Sequence, residues 1–178
     1  MDLYAKYLPY TPGLKILDLG CGPGTSTRFF REKDYLGIDI DKAYINSARC
    51  KHPGHQFECI DFTTLSKDSA LVPKAGFDVI LAYGLMHHLD DASCSAFFRT
   101  SHNVLRANGH IVCFDGCIYR NQSKIKKKII LSDRGKHIRQ PSDLINIAET
   151  AGFTCNSKIE EESLLIPYSL LALSCIKQ

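Results

Sequence analysis

Three glycines at spacing two, Gly20-x-Gly22-x-Gly24, follow an apolar, strand-forming run that contains Leu14, Ile16, Leu17 and Leu19. Helix-compatible sequence, Thr25 to Glu32, comes directly after them. A strand that turns through glycines into a helix start presents backbone N–H groups to a ligand, which is a nucleotide-binding device. Glycine takes positive φ there and carries no Cβ to hold a ligand away. Pro23 fixes φ just before the helix without losing a useful donor. The glycines alone fit an ordinary tight turn equally well, and Asp39 tips the balance. It lies 19 positions after Gly20, at the end of the short run Tyr35 to Ile38. In a βαβ unit that spacing sets a carboxylate at the carboxyl end of the second strand, where it accepts from both ribose hydroxyls. The loop lacks the later glycine of the pyrophosphate fingerprint, and Asp18 stands two residues before it. A carboxylate there repels a pyrophosphate and suits a ligand that carries positive charge.

The elements that must position these groups alternate along the chain. Strands are expected at 15–19, 35–39, 56–60, 77–82 and 110–115, with a first helix at 25–32 and a second from an Asp41 N-cap to Arg49. A helix opened by Asp90 and Asp91 is expected to end near Arg106, with Asn108-Gly109 as its stop. Pro141-Ser142-Asp143 opens a last helix to about Ala151, with strands at 153–159 and 169–176 beyond it. Residues 1–13 read as a short helix and a turn at Pro9, Pro12 and Gly13. So short a leading segment leaves the site either relatively open or closed by another part of the chain. Residues 116–140 fit the alternation least well and read as a lid-like insert. Within it Ile125, Ile129 and Ser132 share one face of a short amphipathic helix, and Lys124, Lys126, Lys127 and Lys128 form a solvated face. The pattern predicts an α/β fold with a parallel sheet between helical layers.

At 178 residues the chain is expected to be one domain with a core of its own. A 44% hydrophobic and 23% charged composition is that of a water-soluble globular protein. Net charge of +3 is too mild to be a global footprint for nucleic acid. No apolar run approaches the roughly 20 residues that span a bilayer, and no signal-peptide layout opens the chain, so a cytoplasmic location is expected. The eight cysteines sit in the glycine loop (Cys21), in expected strands (Cys59, Cys113) and near the end of the last one (Cys175). That is the placement of small core residues with free thiols. No Cys-x-x-Cys pair is present, and Cys113 and Cys117 make no zinc half-site, so no metal is expected.

Leu17-Asp18-Leu19-Gly20-Cys21-Gly22-Pro23-Gly24 followed by Gly37-Ile38-Asp39-Ile40-Asp41 resembles the class I, Rossmann-like S-adenosylmethionine-dependent methyltransferases. Phe57 to Phe62 resembles their adenine-holding segment. Phe77 to Leu89 resembles the fourth strand and its loop, and Val104 to Val112 the approach to the fifth strand. The resemblance implies a single-domain, three-layer α/β/α sandwich with a seven-stranded sheet in the order 3-2-1-4-5-7-6, strand 7 antiparallel. It implies S-adenosylmethionine as cofactor and S-adenosylhomocysteine as product. Gly20, Cys21, Gly22 and Gly24 would approach the methionine part, with Asp18 supporting the ammonium. Asp39 would take the ribose, Ile40 would lie on the adenine, and Asp61 and Phe62 would frame its amino edge. Tyr83 is placed on the cofactor side as well.

Methyl transfer is an in-line displacement from a sulfonium, so the protein mainly aligns the acceptor and excludes water. Where the acceptor needs a base, His87 is the first candidate, with His88, Asp115 and Tyr83 beside it. Absence of an Asn/Asp-Pro-Pro-Tyr tetrad after Ala82 argues against methylation of nucleic-acid bases. Asp133 to Arg139 places a glycine among cations, and Arg134 or Arg139 could hold a carboxylate or phosphate in bidentate fashion. Ile166-Pro167-Tyr168 would complete the pocket wall. We therefore expect methylation of a small, anionic acceptor at oxygen, with His88, Asp115, Arg134, Arg139 and Tyr168 on the acceptor side. The alternatives are an RNA or protein methyltransferase that uses the 124–139 basic face, or a non-catalytic cofactor-binding protein. The sequence leaves the oligomeric state open.

Overall fold

The computed structural model describes residues 3–8, 11–161 and 167–178. Seven strands form one sheet in the order β3-β2-β1-β4-β5-β7-β6. They are β1 (Ile16–Leu19), β2 (Tyr35–Asp39), β3 (Gln56–Cys59), β4 (Phe77–Tyr83), β5 (Leu105–Gly116), β6 (Phe153–Glu160) and β7 (Leu170–Lys177). The first five run parallel to one another, and β7 lies antiparallel to both β5 and β6. The expected order is therefore the observed one. Period-two alternation sends successive side chains to opposite faces, so the runs of β1, β4 and β5 feed two cores. Leu17, Leu19, Ile80, Ala82, Ile111 and Cys113 pack under helices α3 (Asp91–Val104) and α5 (Pro141–Thr150). Ile16, Val79, Leu81, Val112 and Phe114 pack under α1 (Leu3–Tyr7) and α2 (Lys42–Lys51).

Three expectations need correction. The helix expected at 25–32 is a single 3-10 turn, Thr27–Phe29, followed by another at Glu32–Asp34. Thr27 Oγ1 donates to the Gly24 carbonyl at 2.7 Å, a local bond that competes with helix continuation. Arg31 is extended, with ψ of 143°. The aromatic pair Phe29 and Phe30 covers the sheet in place of a helical stripe.

Asn108-Gly109 is not a helix stop either. The helix ends at Val104, and Asn108 takes a φ of 57° inside β5, at a bulge where Phe77 pairs with Leu105 and Val79 with His110. A bulge needs one residue out of the pleat, and asparagine tolerates the left-handed region that it uses.

Helix α4 (Lys124–Leu131) forms where expected but packs through a different stripe. Ile130 is fully buried beside half-buried Lys126 and Ile129, while Ile125 is 67% exposed. The turn at Pro9 and the segment Leu164 to Ile166 lie outside the described residues. Among the described residues no helix is long and apolar enough to cross a membrane.

Candidate functional site: the carboxyl ends of β1, β2, β4 and β5

At the carboxyl end of β1, Gly20, Gly22 and Gly24 take φ values of 71°, 52° and 82°. The N–H groups of Gly20 and Cys21 both donate to the Ile38 carbonyl, at 2.8 and 3.0 Å, which ties the loop to β2. In front of Gly22 a Cβ would meet nothing within 4 Å, so the backbone faces open space there. Behind it, Gly20 admits the Leu85 side chain, whose Cδ1 would lie 2.7 Å from a Cβ. The Cys21 side chain is buried, and its thiol, pushed up by burial and by the Asp18 and Asp39 charges, stays protonated.

Asp39 Oδ2 accepts from Gly22 N–H and Oδ1 from Asp41 N–H, each at 2.9 Å. The carboxylate therefore fixes the glycine loop, and each oxygen keeps a lone pair for a further donor. Ile40 beside it is 73% exposed, an apolar side chain with nothing over it. Asp61 caps the turn Phe62–Thr64 through Oδ1, which accepts from Thr63 N–H and Oγ1 at 2.9 and 2.8 Å. The Phe62 ring packs inward, edge to Phe97 at 6.0 Å. Its backbone, not its ring, is what faces outward.

Asp18 is 1% exposed. The Tyr35 hydroxyl donates to its Oδ2 at 2.6 Å, while Oδ1 has no hydrogen bond of normal geometry among the described residues. Burial pushes its carboxyl up to about 7, partly opposed by the Tyr35 and Ser26 hydroxyls and reinforced by the Asp39 charge. A buried carboxylate short of a donor is an acceptor for a cationic group. The donor set thus fits S-adenosylmethionine: an orphan carboxylate oxygen, an open glycine backbone, a ribose-type carboxylate and an apolar platform.

On the β4–β5 side, Asp115 gathers the turn Met86–His88. Its Oδ2 accepts from Met86 N–H at 2.6 Å and His87 N–H at 3.4 Å, and its Oδ1 from His87 Nδ1–H at 2.6 Å. His87 is only 7% exposed. Burial pulls the imidazolium down, but the Asp115 hydrogen bond and charge, with Asp133 further off, outweigh it and raise the pKa. Nothing among the described residues bonds Nε2. Gly135 lies against the ring so closely that a Cβ there would overlap His87 Cδ2, so only glycine fits. Beneath the pair a void of about 10 Å³, lined by Met86, Asp115, Gly116 and Leu171, has room for no more than one water. His88 is exposed, and burial, the His87 charge and Arg134 lower its pKa. Burial and the Asp115 charge raise the Tyr83 hydroxyl above its ordinary range.

Residues 133–139 form a strap over this turn. His137 N–H donates to the His87 carbonyl at 3.0 Å, and Cys117 and Arg139 form a parallel bridge. Arg139 is used up. Nε and Nη2 donate to Asp91 Oδ1 at 3.0 and 2.7 Å, Nη1 to the Met86 and His137 carbonyls, and Nη2 also to the Leu89 carbonyl at 2.7 Å. With five donors engaged it has none for an anionic acceptor. That corrects its place on the acceptor side. Arg134 is exposed and has no ion pair among the described residues. The Tyr168 hydroxyl donates to Asp133 Oδ2 at 3.0 Å, and its ring sits tight over Gly116. It buttresses the strap.

Two contributors carried no signal as a motif. Tyr35 holds Asp18, and its placement follows once β1 and β2 are in register, with Tyr35 opposite Ile16 and two residues from the strand position facing Asp18. Tyr4 of α1 bonds Ser26 Oγ at 2.9 Å and lies stacked 6.3 Å from Tyr83, at the mouth of the glycine loop.

Comparison with known proteins agrees with this arrangement. The family model described as "Methyltransferase domain" matches residues 17–111. Phosphoethanolamine N-methyltransferase 1 of Arabidopsis thaliana is 29% identical over 158 residues, covering 85% of this chain and 31% of the relative. A ubiquinone biosynthesis O-methyltransferase of Acinetobacter baylyi is 27% identical over 154 residues, 79% of this chain and 63% of the relative. The chain thus spans less than two thirds of either relative. The crystal structure of an S-adenosylmethionine-dependent methyltransferase from Archaeoglobus fulgidus superposes with a TM-score of 0.76 at 18% identity, over 98% of this chain and 91% of that one, and so shares the fold. From the matched motif and the sheet that carries it, the chain belongs to the class I S-adenosylmethionine-dependent methyltransferases.

Proposed function

We propose that the chain transfers a methyl group to a small anionic acceptor, at oxygen, with the acceptor seated at the carboxyl ends of β4 and β5 beside the His87–Asp115 pair. The cofactor, when bound, supplies an electrophilic methyl carbon on a sulfonium. The observation that carries the reading is the pairing of His87 Nδ1 with buried Asp115, which holds the ring in one tautomer and leaves Nε2 as the basic atom. Nε2 takes the acceptor hydroxyl's proton, and Asp115 stabilises the imidazolium that forms. Arg134, charged and without an ion pair among the described residues, holds the acceptor's carboxylate or phosphate. The 116–140 insert acts as the lid that keeps water out. Both relatives named above methylate acceptors at a heteroatom by their names, one at nitrogen and one at oxygen, and the oxygen reading rests on the base that Nε2 supplies.

The test is turnover with methyl-labelled S-adenosylmethionine against a panel of phenolic carboxylates, hydroxy acids and phosphoethanolamine. Arg134→Ala should leave S-adenosylhomocysteine affinity within about twofold and lower kcat/KM for the accepted compound by about tenfold, the loss of one exposed charge-assisted bond. Turnover confined to phosphoethanolamine would replace oxygen by nitrogen. Turnover only on RNA or protein would remove the small-acceptor reading, and no turnover with intact binding would leave a cofactor-binding protein.

A further inference from the structure

We propose that Cys155 and Cys175 form a cross-strand dithiol that a peroxide converts to a disulfide, a modification site at the sheet edge remote from the cofactor loop. In the β6–β7 ladder these two residues are direct partners. Facing residues of an antiparallel pair have Cα atoms about 4.5–5.5 Å apart, within the span that a disulfide bridges. Their side chains point to the same face, since both pack with the core beneath α3 and α5. Of the other buried thiols Cys113 comes nearest in register, opposite Leu173 and so two residues along the ladder. A diagonal separation of about 7–8 Å puts it beyond bridging distance.

The two sulfurs are not equivalent. Cys155 is half-buried on the edge strand, whereas Cys175 is fully buried. The facing Cys175 side chain lowers the Cys155 thiol, with burial and the Glu149 charge opposing, and the same pairing, with burial, raises Cys175. Cys155 is therefore the attacking sulfur and Cys175 the resolving one. The Cys155 thiolate attacks a peroxide oxygen, the O–O bond breaks, and a sulfenic acid and one water result. The Cys175 sulfur then attacks the Cys155 sulfur, the S–S bond forms, the S–O bond breaks, and a second water leaves. Two electrons pass from the sulfurs to hydrogen peroxide, and the two thiol protons end in water.

Cys175 lies opposite Ile111, five residues before Gly116, the site end of β5. That is about 17 Å along the strand, so the bridge staples the β6–β7 hairpin without entering the cleft.

Full-length chain carrying Cys50→Ser and Cys59→Ser, which removes the two exposed thiols, is treated with hydrogen peroxide and mapped by mass spectrometry under non-reducing conditions. The expected product has lost two hydrogens, yields one linked peptide pair joining residues 155 and 175, and unfolds at higher urea until dithiothreitol reverses the shift. Adding Cys155→Ser, or Cys155→Ala should the serine fail to fold, abolishes all three changes. A link through any other cysteine, a Cys155 sulfinic acid without a link, or an unchanged mass overturns the proposal.

Discussion

Asp18 illustrates what a buried charge does at a cofactor site. With its carboxyl pushed up to about 7 by burial, the side chain is part protonated at neutral pH. A cationic ligand brought to Oδ1 favours the ionised form, so binding should release protons. Calorimetric titration with S-adenosylhomocysteine at pH 7 in two buffers of different ionisation heat should show net proton release on binding. Equal heats in both buffers would mean that the ligand's ammonium lies elsewhere.

His87 titrates in the opposite sense for stability and for turnover. Its folded pKa is raised above the ordinary 6.5, since the Asp115 hydrogen bond and charge overcome burial. The stability that it contributes is therefore full below about pH 6.5 and is lost as pH rises through the folded value. Urea midpoints of the chain and of His87→Gln should converge as pH rises through that range. Turnover should climb over the same range, because the base acts deprotonated. A pH profile flat for both would leave His87 as a structural residue alone.

At the scale of elements, the strap decides which arginine is structural. Arg139 satisfies three backbone carbonyls around the Met86–His88 turn, and its partner Asp91 is 86% exposed. The exposed ion pair adds little, but the carbonyls left bare would not. Arg139→Ala should cost about 2 kcal/mol by chemical denaturation, whereas Arg134→Ala should cost less than about 0.5 kcal/mol, as an exposed substitution does. Equal losses would contradict the assignment.

The sequence alone could not separate the two arginines. Both sit in one basic stretch, and only the fold of residues 86–91 tells which is occupied. The helix expected at 25–32 failed for a related reason, since its residue types permit a helix but local bonds and the short path from Gly24 to Tyr35 favour a 3-10 turn. Asn108-Gly109 reads as a helix stop in isolation and becomes a bulge once β5 starts at Leu105. Most strands, by contrast, were legible to within a residue or two, and the exception is β5, expected at 110–115 but starting at Leu105 because the bulge at Asn108 hides its first half. The glycine loop and its neighbour Asp39 were legible as a local arrangement, since both sit at strand ends whatever lies between. Tyr35 and Tyr4 were not, because what they do depends on packing against residues distant in sequence.

Taken as a whole, the molecule places its polar chemistry at the carboxyl ends of four neighbouring strands. One half of that edge carries Asp18, the glycine loop and Asp39, and the other carries His87, Asp115 and the strap. The apolar sheet between the two cores keeps both halves rigid, so that each should respond to mutation without disturbing the other. The central claim is that the first half binds the cofactor. Calorimetric titration of the chain and of Asp39→Ala with S-adenosylhomocysteine tests it most directly. Asp39 fixes Gly22 and, on this account, would accept from the ribose, so its loss should weaken one-site binding by about 1.5–3 kcal/mol, roughly tenfold to a hundredfold in Kd. Unchanged affinity in a folded Asp39→Ala variant would contradict the account.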